Sequence, residues 1–138
     1  MTHEEAEAVD EDNTAFMKRV VAAYGWPGSG LVGEDGAEAA WLLVQHADHD
    51  PGFQKQCLAL LEDAVASGQA SRVNLAYLTD RVRVAEGRPQ VFGTQYRRGD
   101  GGPEPRPIED PGRLDQRREK AGLGPHGVYD RAMRRLPT

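Results

Sequence analysis

The chain has one cysteine in 138 residues, so no intramolecular disulfide can staple it. Its stability must come from a packed core, and a lone thiol fits a reducing, cytoplasmic setting. No apolar run approaches the ~20 residues that span a bilayer, which argues against a membrane-spanning helix, and no membrane partner is expected. The N-terminus lacks the basic and apolar parts of a signal peptide. Basic residues are outnumbered, 17 Lys and Arg against 22 Asp and Glu. The resulting net charge of -5 argues against nucleic acid as the main partner. Apolar residues make up only 38% of the chain, so a sizeable share of it should be tail and loop.

Several catalytic signatures are missing too. Gly28-Ser29-Gly30 lacks the lysine and the preceding strand of a phosphate-binding loop. There is no Gly-x-Ser-x-Gly elbow and no His-Glu-x-x-His. His46 and Asp50 stand at i, i+4, but no second histidine pair or cysteine cluster joins them, so no metal and no cofactor is implied. Cys57 falls on an apolar stripe, where a free cysteine is a small buried hydrophobe.

The length suits a single domain. Charge is unevenly placed along it. Residues 1–12 hold six carboxylates and no Lys or Arg, and are expected to be a disordered acidic tail. From Arg113 onward basic residues lead, either as a solvated helix face or as a patch for an anionic partner. The domain then occupies residues 13–138. Asn13 is expected to cap a first helix with Phe16, Val20 and Ala23 on its apolar face, ended by Gly25-Trp26-Pro27-Gly28, with Trp26 plugging the core. Asp35, with Glu38 three residues on, opens a second helix. Asp50-Pro51 opens a third, with Phe53, Cys57, Leu60, Leu61 and Ala64 as its stripe and Gly68 as its stop. A fourth helix from Ser71 to about Ala85 is apolar on several sides, the mark of a buried helix. Gln90 to Tyr96 reads as a strand, Asp100-Gly101 as a hairpin turn, and Arg106-Pro107-Ile108 as a return arm. Asp110-Pro111 starts a short helix to about Ala121, and Pro125 begins a last one. The fold class is therefore mostly α: a compact single domain of five or six helices with a short β-hairpin or extended arm.

Three polar segments interrupt this pattern. In Gln45-His46-Ala47-Asp48, a histidine at a helix end either serves as a general acid or base near neutral pH or complements the helix dipole. In Tyr77-Leu78-Thr79-Asp80-Arg81, Asp80 shares a side with Val73, Ala76 and Val84. If that side is buried, its carboxylate must be paired or hydrogen-bonded. Gln90, Thr94 and Gln95 form the third segment, either facing a ligand or bonding hairpin to helices. One of Arg117 and Arg118 should face inward, toward a carboxylate such as Asp80 or Asp110.

The order and spacing of Tyr24-Gly25-Trp26-Pro27, Gln45-His46-Ala47-Asp48, Tyr77-Leu78-Thr79-Asp80-Arg81, Gly93-Thr94-Gln95, Pro107-Ile108-Glu109-Asp110-Pro111 and Arg117-Arg118 leading to Gly122-Leu123 resemble an uncharacterised bacterial domain family of unknown function. The resemblance covers most of residues 14–130 and leaves out the acidic leader and the last basic helix. It supplies no reaction, but implies that these polar residues belong to one constellation.

Two functions follow as expectations. In one, the chain is a small cofactor-independent enzyme. His46 is the general acid or base, Asp80 orients it, and Gln45, Asp48, Arg81, Gln95 and Arg117 bind a polar or anionic small molecule or peptide. Transferase, hydrolase and cyclase chemistry all stay open. In the other, it is a non-enzymatic binding or interaction module, of the immunity type for example, whose polar network fixes one packing. Neither expectation specifies an oligomeric state.

Overall fold

The computed structural model describes residues 2–137. Among these residues the chain forms six α-helices and one two-stranded antiparallel hairpin, the mostly helical class expected. Contacts group it into two compact units, one up to Ser71 and one from Arg72 onward.

The first unit contains α1 (His3–Tyr24), α2 (Ser29–Gln45) and α3 (Pro51–Ala66). Helix α1 starts ten residues earlier than Asn13, so residues 3–12 are helical where a tail was expected. Thr2 and Glu5 form a reciprocal capping box, and Glu4 and Glu5 lie in the first turn, where the helix dipole favours negative charge. The acidic composition that reads as disorder is thus also good helix-start chemistry. The core face of α1 is formed by Thr14 and Met17, whereas Phe16 is exposed and lies beneath the Arg19 guanidinium. Trp26 is half-buried after the break at Gly25. Helix α2 begins at Ser29 and carries a kink at Gly33, whose φ of 79° breaks the helical path just before the expected start at Asp35.

Helix α3 follows its sequence closely. Asp50 caps it by accepting the Phe53 N–H at 3.1 Å, Pro51 occupies the first turn, and Phe53, Cys57, Leu61 and Ala64 are buried. Lys18 holds Asp50 at 2.5 Å, and that contact, with the Phe53 amide, keeps the Asp50 pKa below the ordinary carboxylate value. Burial pushes the Cys57 thiol up to about 12, consistent with a small buried hydrophobe.

The second unit holds α4 (Arg72–Ala85), β1 (Tyr96–Gly99), β2 (Gly102–Pro105), a 3-10 turn at Pro111–Arg113, α5 (Leu114–Lys120) and α6 (His126–Arg134). No residue of α4 from Val73 to Val84 is exposed, as its many-sided apolar pattern predicts. The hairpin turns at Asp100-Gly101, with Tyr96 opposite Pro105 and Gly99 opposite Gly102. The strand expected from Gln90 does not form. Gln90 pairs in an isolated parallel bridge to Ile108 and Tyr96 is already the first residue of β1, but residues 91–94 between them leave the extended path. The cause lies in α4.

Candidate functional site

Asp80 is fully buried on α4 and organises residues 91–94. Its Oδ1 accepts the N–H groups of Val91 at 2.8 Å and Phe92 at 2.9 Å. Its Oδ2 accepts the Thr94 N–H at 3.0 Å and the Thr94 hydroxyl at 2.8 Å. A carboxylate offers about four lone-pair sites, and here each has a donor. Three such amides cannot point at one carboxylate from a strand, because strand amides alternate sides. Gly93, at φ 71°, makes the reversal. This is why residues 91–94 form a loop instead of a strand.

Gln90 supports the same loop. Its side chain is fully buried, donates to the carbonyls of Gln95 and Arg106, both at 2.9 Å, and accepts the Gln95 N–H at 2.8 Å. The amide thus stands in for a missing strand residue. Both arginines of α5 serve backbone carbonyls. Arg118, almost fully buried, donates to Phe92 O at 2.6 Å and Gly124 O at 2.7 Å, with its guanidinium 5.3 Å from the Tyr129 ring centroid. Arg117, half-buried, donates to the carbonyls of Val91, Asp110 and Glu109. The expected carboxylate partner for the inward arginine is therefore replaced by carbonyl groups that the loop leaves without strand partners.

Beside this hub lies an aromatic and histidine group that the sequence reading passed over. Tyr129 donates to Thr94 O at 2.9 Å. The His126 backbone N–H is held by Asp115 at 2.9 Å, and its ring Nε2 stands 3.1 Å from Gly93 O and 3.4 Å from the Tyr96 hydroxyl. A carbonyl only accepts, so Nε2 carries the proton in the neutral ring and Nδ1 is left as the basic nitrogen. Tyr96 donates to Asp130, which also accepts from Arg134 at 2.8 Å. Those two hydrogen bonds lower the Asp130 pKa, the Tyr96 bond contributing most. Burial, then the Asp130 bond, raises the Tyr96 pKa. Burial, then the nearby Tyr77, raises that of Tyr129. Both phenols are thereby kept as neutral donors. The i, i+3, i+4 spacing of His126, Tyr129 and Asp130 places them on one face of the helix, a signal present in the sequence that the readings of its basic residues did not use.

The expected site residues divide between the two units. In the second, Asp80, Gln95 and Arg117 meet around residues 90–95, with Gln95 Nε2 donating to Thr94 Oγ1 at 3.0 Å. Arg81 is half-buried on α4. In the first, Gln45 and Asp48 are joined through Gln54, a buried α3 residue not singled out beforehand. Its Nε2 donates to Val44 O, Gln45 O and Asp48 Oδ1 at 3.1, 3.4 and 3.2 Å. Gln45 is itself buried, and its Oε1 has no hydrogen-bond partner among the described residues. His46 is the C-cap of α2 and is exposed; among the described residues its ring makes no hydrogen bond or ion pair. For Asp80 to orient that ring it would need an oxygen that it already gives to residues 91–94. Among the described residues no group of three or more His, Cys, Asp or Glu converges as metal ligands.

A family of unknown function, DUF6624, has a model that matches residues 1–136, and the chain belongs to it. The match takes in the acidic leader and the last helix, both left outside the resemblance seen in the motifs. No curated protein and no solved structure matches the chain.

Proposed function

We propose that this DUF6624 chain is a non-enzymatic binding module in which the buried polar network is scaffold and recognition falls to exposed surface. One observation carries this reading. Asp80, the most buried charged group of the second unit, has both oxygens filled by loop donors, and Arg117 and Arg118 are likewise used on backbone carbonyls. These three members are satisfied, and a satisfied set gives rigidity and a unique packing and leaves none of the three poised for a substrate. The test compares Asp80→Asn with His46→Ala. Scaffold predicts a large fall in melting temperature for the first and almost none for the second, because His46 is exposed. A folded, equally stable Asp80→Asn protein would remove the basis of the proposal.

One observation favours a second reading, acid–base chemistry on a polar or anionic small molecule or peptide. His126 has its tautomer set by Gly93 O and stands against the Tyr96 hydroxyl, itself bonded to Asp130. In that reading the working base is His126 Nδ1 and not His46. Loss of turnover in His126→Ala with an unchanged melting temperature, found by screening wild type and variant against polar metabolites, supports it. Equal behaviour of the two proteins refutes it.

A further inference from the structure

The first unit carries thirteen Asp and Glu against three Lys and Arg, a formal charge of −10, although the chain as a whole is only −5. Within this unit the C-terminal ends of α1 and α3 border an open groove of about 450 Å³, lined by Tyr24, Trp26, Leu31, Leu60, Asp63 and Ser67. Four properties of the groove point the same way.

Both helices end at this groove, and neither has a basic residue in its last turn. A helix C-terminus carries the negative end of the dipole and is stabilised by a cation. Asp63 adds a full negative charge, exposed, with no ion pair or side-chain hydrogen bond among the described residues. The aromatic rings of Tyr24, 70% exposed, and Trp26 offer faces that attract a cation. Leu31, 59% exposed, and the half-buried Leu60 give apolar surface for an alkyl stem.

The rim is also held in place. Gln69 accepts the Gly30 N–H at 2.6 Å through Oε1 and the Ser29 N–H at 2.9 Å through its carbonyl, tying the start of α2 to the chain just after α3. A Cβ on Gly28 would meet Gln69 Cβ at 2.8 Å, and one on Gly30 would meet Gln69 Oε1 at 2.5 Å. Close approach of backbone to Gln69 is therefore built into this wall.

We propose that this groove receives an arginine side chain of a basic segment on a partner protein. The guanidinium would lie between the aromatic faces and Asp63, its methylenes on Leu31 and Leu60. A planar cation with an apolar stem matches the lining better than a compact, strongly hydrated one. The inference rests on the binding-module reading and gives it a partner chemistry.

The test uses the full chain and a blocked, fluorescein-labelled peptide with two arginines spaced by leucine, beside an otherwise identical peptide with citrulline in place of arginine. Fluorescence anisotropy at low salt should show saturable binding of the arginine peptide, and at least a roughly ten-fold weaker Kd for citrulline, which lacks the charge. Asp63→Asn and Tyr24→Ala change exposed side chains and should each weaken binding by roughly three- to five-fold, with circular dichroism unchanged. Equal Kd for the two peptides overturns the site, because charge then plays no part, and variants that bind as wild type overturn it by reducing the attraction to the unit's overall charge. Free arginine competing as well as the peptide overturns the choice of a protein segment. Concentration-dependent dimerisation abolished by Asp63→Asn would make a second copy the occupant and overturn the proposal as stated. None of these outcomes bears on Asp80→Asn, so the groove can fail while the scaffold reading stands.

Discussion

Replacing Asp80 by asparagine keeps the shape of the side chain and removes half of its acceptors. Asparagine has one carbonyl oxygen and one NH₂ group where aspartate has two acceptor oxygens. In the better orientation the carbonyl keeps the Val91 and Phe92 amides, and the NH₂ group faces Thr94. The Thr94 hydroxyl can rotate and accept from it, but the Thr94 backbone N–H, buried and facing another donor, cannot. One orphaned buried donor costs about 1–3 kcal/mol, and the remaining bonds lose their charge assistance, about 1–2 kcal/mol together. The expected destabilisation is therefore about 2–5 kcal/mol, measured by urea unfolding followed by circular dichroism. Amide hydrogen exchange localises it: protection at Val91, Phe92 and Thr94 should drop further than protection in α3. A loss below about 1 kcal/mol with these three amides still protected would refute the assignment of Asp80 as the organiser of the loop.

Gly93→Ala meets two obstacles, a φ of 71° and His126 ring atoms 2.8 and 2.9 Å from the new Cβ. The expected cost is about 2–4 kcal/mol, and displaced Tyr96 and His126 ring resonances in an NMR spectrum should accompany it. Cys57, buried and with its pKa raised to about 12, should resist a thiol reagent at pH 8 in the native protein and react in full once unfolded. Asp130 has a lowered pKa when folded, so its contribution to stability is present above the ordinary value of 3.8 and is lost as pH falls through the lower folded value. Melting temperatures recorded from pH 6 downward should therefore be level in this respect to about pH 5 and then fall. Asp130→Asn should remove part of that acid slope, and an identical slope in the variant would contradict the assignment.

What could be read from the chain depended on how far each cause lay from its effect. The start of α3 was legible because Asp50, Pro51 and the Phe53 amide act within one turn. The many-sided burial of α4 was legible from its apolar pattern, and with it the need to satisfy Asp80. The donors that satisfy it were not, because Val91, Phe92 and Thr94 look like strand residues until a carboxylate eleven to fourteen positions earlier turns their amides inward. Residues 3–12 misled for a different reason. Their carboxylates suit both a solvated tail and a capped helix start, and the Thr2–Glu5 pair decides between them. In α6 the surplus of basic residues reads as a solvated face or a patch for an anionic partner, and the inward use of His126, Tyr129 and Asp130 went unseen.

The short span between Asp80 and its donors has a kinetic meaning. Closing a loop of about ten residues takes on the order of 10–100 ns, and the entropy lost grows only slowly with length. The hub can therefore form as soon as α4 exists and the chain has reached Thr94, before α5 or α6 is in place. The arginines of α5 and the tyrosine of α6 then dock onto carbonyls already presented in register. A buried charge, usually regarded as a late and costly addition to a core, would in this order of events act as a template on which the last two helices assemble.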